Sequence, residues 1–253
     1  MKKLSILLAL AVSGTLFAQL QSPPPNGGLG GIPPLSNAQG LEDNAIGNNI
    51  TTNIDINKID GWASIDDFDT ILLAKAGTEG SVYLFDQWEN RGVIEVDDKR
   101  YIFSNMNYNV KRSAFQSKVG QDSVVSFDLS TFDRIVINDK AFKSIYNPSK
   151  RANENFEVIY EGTDMAILKG YVIEITEANP NPMINRSKRK ILTKERYYVK
   201  KKNSIKSLKF KKKGILALAG DKSADLERYA KKNKLSFKDE SDVRRMLTNV
   251  LND

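Results

Sequence analysis

The chain contains neither cysteine nor histidine. Without cysteine there is no disulfide and no thiolate nucleophile or metal ligand, so stability must come from buried apolar side chains. The same absence excludes lipidation as a bacterial lipoprotein. Without imidazole, Ser-His-Asp and Cys-His catalysis, histidine zinc sites and a histidine pH switch all fall away. Any chemistry is left to carboxylates, lysine, tyrosine, serine or threonine. A glycine-rich phosphate loop and a nucleotide fingerprint are also missing, and no cofactor is expected. After the first segment, no apolar run approaches the roughly 18 residues that a membrane helix needs.

What is present starts with the N-terminus. Lys2 and Lys3 precede an apolar run over 4–12, and the small residue Ala18 closes the segment. This layout predicts a cleaved signal peptide over 1–18, hence export. With no second span and no lipid anchor the periplasm is the default address, and association with the outer membrane is an option it leaves open. Residues 19–53 are rich in Pro, Gly and Asn and bury too little to fold, so they read as a flexible arm. About 200 residues follow, enough for one core and a small second unit.

From Ile54 the texture changes to short β-branched and aromatic runs separated by turn residues. Strands are predicted at 70–74, 81–86, 92–96, 100–104, 108–111, 124–128, 134–138, 156–161, 165–169 and 171–176. Two more follow at 196–202 and 205–211, where lysine partly alternates with apolar residues. Turns are expected at 77–80, 97–99, 138–139 and 161–164, and the pair 92–96 with 100–104 is the clearest hairpin. After Lys213 the period becomes helical. Ser223 is placed to cap a helix burying Ala224, Leu226, Tyr229 and Ala230. Asp239 is placed to cap another burying Val243, Met246, Leu247, Val250 and Leu251. The expected fold is therefore mainly β, an antiparallel sandwich or roll over 54–212, closed by a short α-helical unit over 213–253.

The segments YLFDQW, NYNV, NFEVIYEG, NPMINRSK, RYYVKKKNSIKSLKFKKK and KKNKLSFKDESDV resemble a group of hypothetical exported proteins of the Bacteroidota (flavobacteria). The resemblance spans most of 80–250. It implies export and phylum, and it carries no catalytic residue across.

Several constellations carry chemical meaning. Asp66, Asp67 and Asp69 form the densest acidic cluster, but no glycine supplies the turn of a calcium loop, so a solvated loop or helix start is expected and no metal. Asp97 and Asp98 read as turn residues. Glu95, Asp128 and Glu174 are the carboxylates a glycoside hydrolase could draw on, though they sit in predicted strands.

The basic stretch is the strongest signal. Lys188, Arg189, Lys190, Lys194, Arg196, Lys200, Lys201, Lys202, Lys206, Lys209, Lys211, Lys212 and Lys213 stand against one acid, Glu195, within a chain of net charge +7. Expected export argues against nucleic acid and towards anionic membrane surfaces or acidic faces of envelope proteins. Trp62 and Trp88 are candidate aromatic contacts for a partner or a sugar. Asp69-Thr70-Ile71 and Asp122-Ser123-Val124 match the short O-glycosylation pattern of exported Bacteroidota proteins, which singles out Thr70 and Ser123.

These features give one preferred reading: a non-enzymatic cell-envelope interaction protein, an accessory periplasmic subunit of an outer-membrane protein assembly. The alternatives are a carbohydrate- or peptidoglycan-binding module and a carboxylate-based envelope hydrolase.

Overall fold

The computed structural model describes residues 50–51, 63–67, 78–97, 99–118, 123–179 and 188–251. Among them a large sheet, a small sheet and three helices share one chain unit. The strands are β1 (Ile50–Thr51), β2 (Ala63–Asp67), β3 (Thr78–Glu79), β4 (Gly92–Val96), β5 (Lys99–Phe103), β6 (Met106–Asn109) and β7 (Ala114–Lys118). They continue as β8 (Ser123–Phe127), β9 (Arg134–Ile137), β10 (Lys140–Asn147), β11 (Ala152–Glu161), β12 (Met165–Thr176), β13 (Arg189–Lys201) and β14 (Ser204–Ser207). The helices are α1 (Lys212–Ala219), α2 (Ser223–Asn233) and α3 (Glu240–Leu251).

The large sheet runs in the order β1-β5-β4-β9-β10-β11-β12-β13-β14, with β3 added to β13. All its pairings are antiparallel except those of the two-residue strands β1 and β3. The small sheet has the order β2-β8-β7-β6. The two sheets enclose one core. Ile94, Ile135, Ile137 and Phe142 meet Met106, Tyr108, Phe115, Val125 and Phe127 across it. Phe115 stacks on Tyr108 with centroids 4.5 Å apart and meets Phe142 edge-on at 5.1 Å.

A second core lies at the other end of the large sheet. There Ile159, Tyr160, Met165 and Ile167 receive Ile215, Leu226, Ala230, Val243, Met246 and Leu247 from the helices. The mainly β sandwich with a C-terminal helical unit is thus the observed fold.

Hairpin β4–β5 forms as its sequence suggests, with Val96 opposite Lys99 and Asp97 at a positive φ of 47° in the turn. A similar tight turn joins β9 to β10, where Asn138 and Asp139 both take positive φ. Such residues tolerate the left-handed region better than most. Asp239 caps α3 by accepting from the amide of Asp242 at 2.9 Å.

Other elements differ from expectation for identifiable reasons. Residues 81–86 are not a strand, because only Tyr83 pairs in ladder fashion, as a single antiparallel bridge to Asn109. Val82 and Leu84 bond to Val110 and Tyr108, while the side chain of Asn107 binds both N–H and C=O of Phe85. Residues 110–113 form a turn, so the strand there is β6, earlier than predicted. Residues 165–176 make one strand, not two. The bare Gly170 in its middle is covered by the rings of Tyr198 and Phe156, which lie 3.3 and 3.4 Å from where a Cβ would stand.

β7 and β10 show no strand pattern in the sequence because buried Gln116 and Ser117, and the lysines of β10, break the apolar alternation. β13 begins well before residue 196, and β14 ends before 211. Thr78 and Glu79 pair with β13 where a turn was expected. Ala63–Asp67 is a strand paired with β8, so Asp66 and Asp67 do not lie in a loop or helix start, and Asp69 lies outside the described residues. Ser223 is the first residue of α2 and not its cap; the cap position is Lys222, which makes no side-chain capping bond, and Ala224 faces solvent. The strand predicted at 70–74 lies outside the described residues.

Candidate functional site

Alternation along β12 sends residues 165, 167, 169, 171 and 173 to one face of the sheet. Met165 and Ile167 belong to the helix-side core, and Tyr171 and Ile173 pack on the sandwich core. Lys169 stands between them with 3% of its side chain exposed. Two apolar cores thus meet at a buried charge.

A buried ammonium must be paired and hydrogen-bonded to persist. Glu157, directly opposite on β11, places Oε2 at 3.1 Å from Lys169 Nζ. Glu240, in the first turn of α3, accepts from the same Nζ at 2.8 Å, and Glu195 lies 3.6 Å away. Tyr171 donates to Glu157, Tyr197 donates to Glu240, and Lys140 reaches Glu157 at 3.1 Å. Arg244 anchors α3 from its next turn, donating at 2.7 Å to the carbonyl of Ile159, the residue skipped by a register shift in β11.

Burial pulls the Lys169 pKa down, but the bond to Glu240 and the charge of Glu157 outweigh it, and the net shift is upward. Burial and the neighbouring carboxylates push the Tyr171 and Tyr197 phenols well above the usual tyrosine range. All three groups are therefore held protonated. This centre cross-links sheet to helix. Its sequence signal was a single charge inside an otherwise apolar strand, as in AILKGYVI.

The basic stretch is split by the fold. At its start, Lys188 and Lys190 pair with Glu79 at 3.4 and 3.5 Å, Arg189 with Glu177 at 3.2 Å, and Lys194 with Glu174 at 3.9 Å. Lys212 pairs with Glu227. Arg196, Lys200, Lys201, Lys202, Lys206, Lys209, Lys211 and Lys213 make no ion pair among the described residues. The unmatched charge thus concentrates on the β13–β14 hairpin and its exit into α1. Lys202 tops the hairpin turn at a positive φ of 49°.

The remaining candidates are dispersed. Trp88 is half-buried in a small cluster with Val82, Tyr83 and Ile191; Tyr83 meets it edge-on at 4.9 Å and Lys118 Nζ lies 4.9 Å above its ring. Trp62 and Thr70 lie outside the described residues, and Ser123 starts β8 opposite Asp67. Glu95 is bound by Arg134 and Arg100, Asp128 caps a short 3-10 turn, and Glu174 sits beside Lys194, so these three carboxylates do not converge. No cluster of three or more potential metal ligands occurs among the described residues.

Comparison with protein families, with curated proteins and with solved structures finds no match for this chain.

Proposed function

We propose that this chain is a non-enzymatic interaction protein of the cell envelope, a periplasmic accessory subunit that docks on an acidic face of an outer-membrane protein assembly. The observation that carries the reading is the separation of matched from unmatched charge along one basic stretch. Lysines kept only for solubility need no such order, since isolated surface charges contribute little either way.

A protein partner is favoured over a lipid surface by the sheet edge. β14 is the last strand of the large sheet, so its outer backbone groups are open to pairing among the described residues. Edge lysines such as Lys206 also discourage unwanted strand pairing. That role does not account for Lys200, Lys202 or Lys213, which are off the edge strand. Opposite charge on a partner would speed encounter and fix register. The signal-peptide pattern and the resemblance to exported proteins support the compartment.

The test is mild crosslinking in intact cells followed by purification and mass spectrometry. A stoichiometric outer-membrane protein crosslinked at the β13–β14 hairpin is the expected result. Crosslinks to lipid only would replace the protein partner with a membrane, and recovery of a free monomer would overturn the proposal.

A further inference from the structure

The pairing of β11 with β12 ends at Glu157 opposite Lys169. Beyond that point β11 continues along β10 as far as Ala152, and β12 continues along β13 as far as Thr176. The two strands therefore part, and the large sheet has a notch whose apex is the Lys169–Glu157 pair. A cavity of about 390 Å³ occupies this notch. That size lies within the range of about 300–1,000 Å³ usual for small-molecule sites.

The chemistry of the walls is specific. Lys150 and Arg196 supply two positive charges, and Asp128 and Glu154 supply two negative ones. Lys150 is already bound to Glu154 at 2.5 Å. The lining is thus neutral as a whole and does not select an anion. Asn153, Asn155 and several serines add side chains that both donate and accept. Tyr198, half-buried and edge-on to Phe156 at 5.5 Å, adds a rigid aromatic wall. Neutral hydroxyl-rich ligands with apolar C–H faces use this combination, because each hydroxyl needs a donor and an acceptor while the ring packs on an aromatic.

We infer that the β11–β12 notch is a binding site for a neutral saccharide unit, with Tyr198 packing on the sugar and Asn153 and Arg196 holding its hydroxyls. The site shares only Arg196 with the unmatched charges of the hairpin and none of its lysines, and it stands or falls independently of the docking proposal.

Saturation-transfer NMR on the full chain with chitobiose, cellobiose and maltose tests it, with inorganic phosphate as the anionic competitor. At least one disaccharide should receive saturation, and phosphate should not displace it. The exposed Asn153→Ala should weaken that sugar about tenfold, the loss of one hydrogen-bonding side chain. Tyr198→Phe should bind within a factor of about three, since the ring is kept. Lys200→Glu/Lys202→Glu/Lys206→Glu should leave sugar binding unchanged while abolishing hairpin docking. Absence of transfer to every disaccharide from a protein with its native circular dichroism would overturn the inference, as would displacement by phosphate or an unaltered affinity in Asn153→Ala.

Discussion

Lys169 and Glu157 face each other across β12 and β11, with Nζ 3.1 Å from Oε2 and only 3% and 4% of their side chains exposed. On one side of this pair lies the sandwich core and on the other the helix-covered core. The pair sits where an apolar contact would otherwise continue. It is also where β12 leaves β11, so one ion pair marks the join between the cores and the apex of the notch.

Removing one partner should cost far more than removing both. Lys169→Met leaves the Glu157 carboxylate buried with Lys140 and Tyr171 as its remaining partners. A loss of about 3 kcal/mol is expected, the lower end for a broken buried pair because Lys140 remains. Lys169→Met/Glu157→Leu should recover a large part of it. Urea unfolding of the two single variants and the double variant checks this, and additive losses would count against the pair as a coupled unit.

The helical unit should be held by its apolar face. Leu226 and Val243 are fully buried against the sheet cluster. Leu226→Ala should cost about 3 kcal/mol, a large-to-small change at a fully buried site. Exposed Arg228→Ala on the same helix should change stability by less than about 0.5 kcal/mol. Thermal melts followed by circular dichroism give both values.

Alkaline stability follows from the same centre. Lys169, Tyr171 and Tyr197 have folded pKa values raised above their ordinary ones. A raised group adds stability that is fully present below its unfolded pKa, about 10 for these groups, and is lost as pH climbs through the folded value. Stability should therefore decline above about pH 10, and tyrosinate absorbance should show a late step that coincides with unfolding. Tyr171→Phe and Tyr197→Phe should each reduce that late step. Asp239 runs the opposite way: bonds from Ser241 and the Asp242 amide lower its pKa, so its contribution is present at neutral pH and fades as pH falls.

Much of the architecture was legible in the sequence because hairpins and amphipathic helices are local. Gly92–Val96 with its Asp turn, and the Val243–Met246–Leu247 face of α3, declare themselves in a few residues. Long-range partners do not. Nothing near Lys169 in the chain reveals that Glu240, 71 residues later, will bind it. The notch is equally silent, since it arises from where two registers end. The basic stretch was visible as composition, but which of its charges are matched depended on Glu79, Glu174, Glu177 and Glu227 arriving from other strands, loops and α2.

The central claim is that the unmatched lysines of the β13–β14 hairpin hold an envelope partner. The most direct measurement is affinity purification of the native chain from crosslinked cells, beside Lys200→Glu/Lys202→Glu/Lys206→Glu, each washed at rising salt. The account predicts one stoichiometric outer-membrane protein with the native chain, released progressively as salt screens the contact, and none with the charge-reversed chain. An equal yield of the same partner from both chains, indifferent to salt, would contradict it.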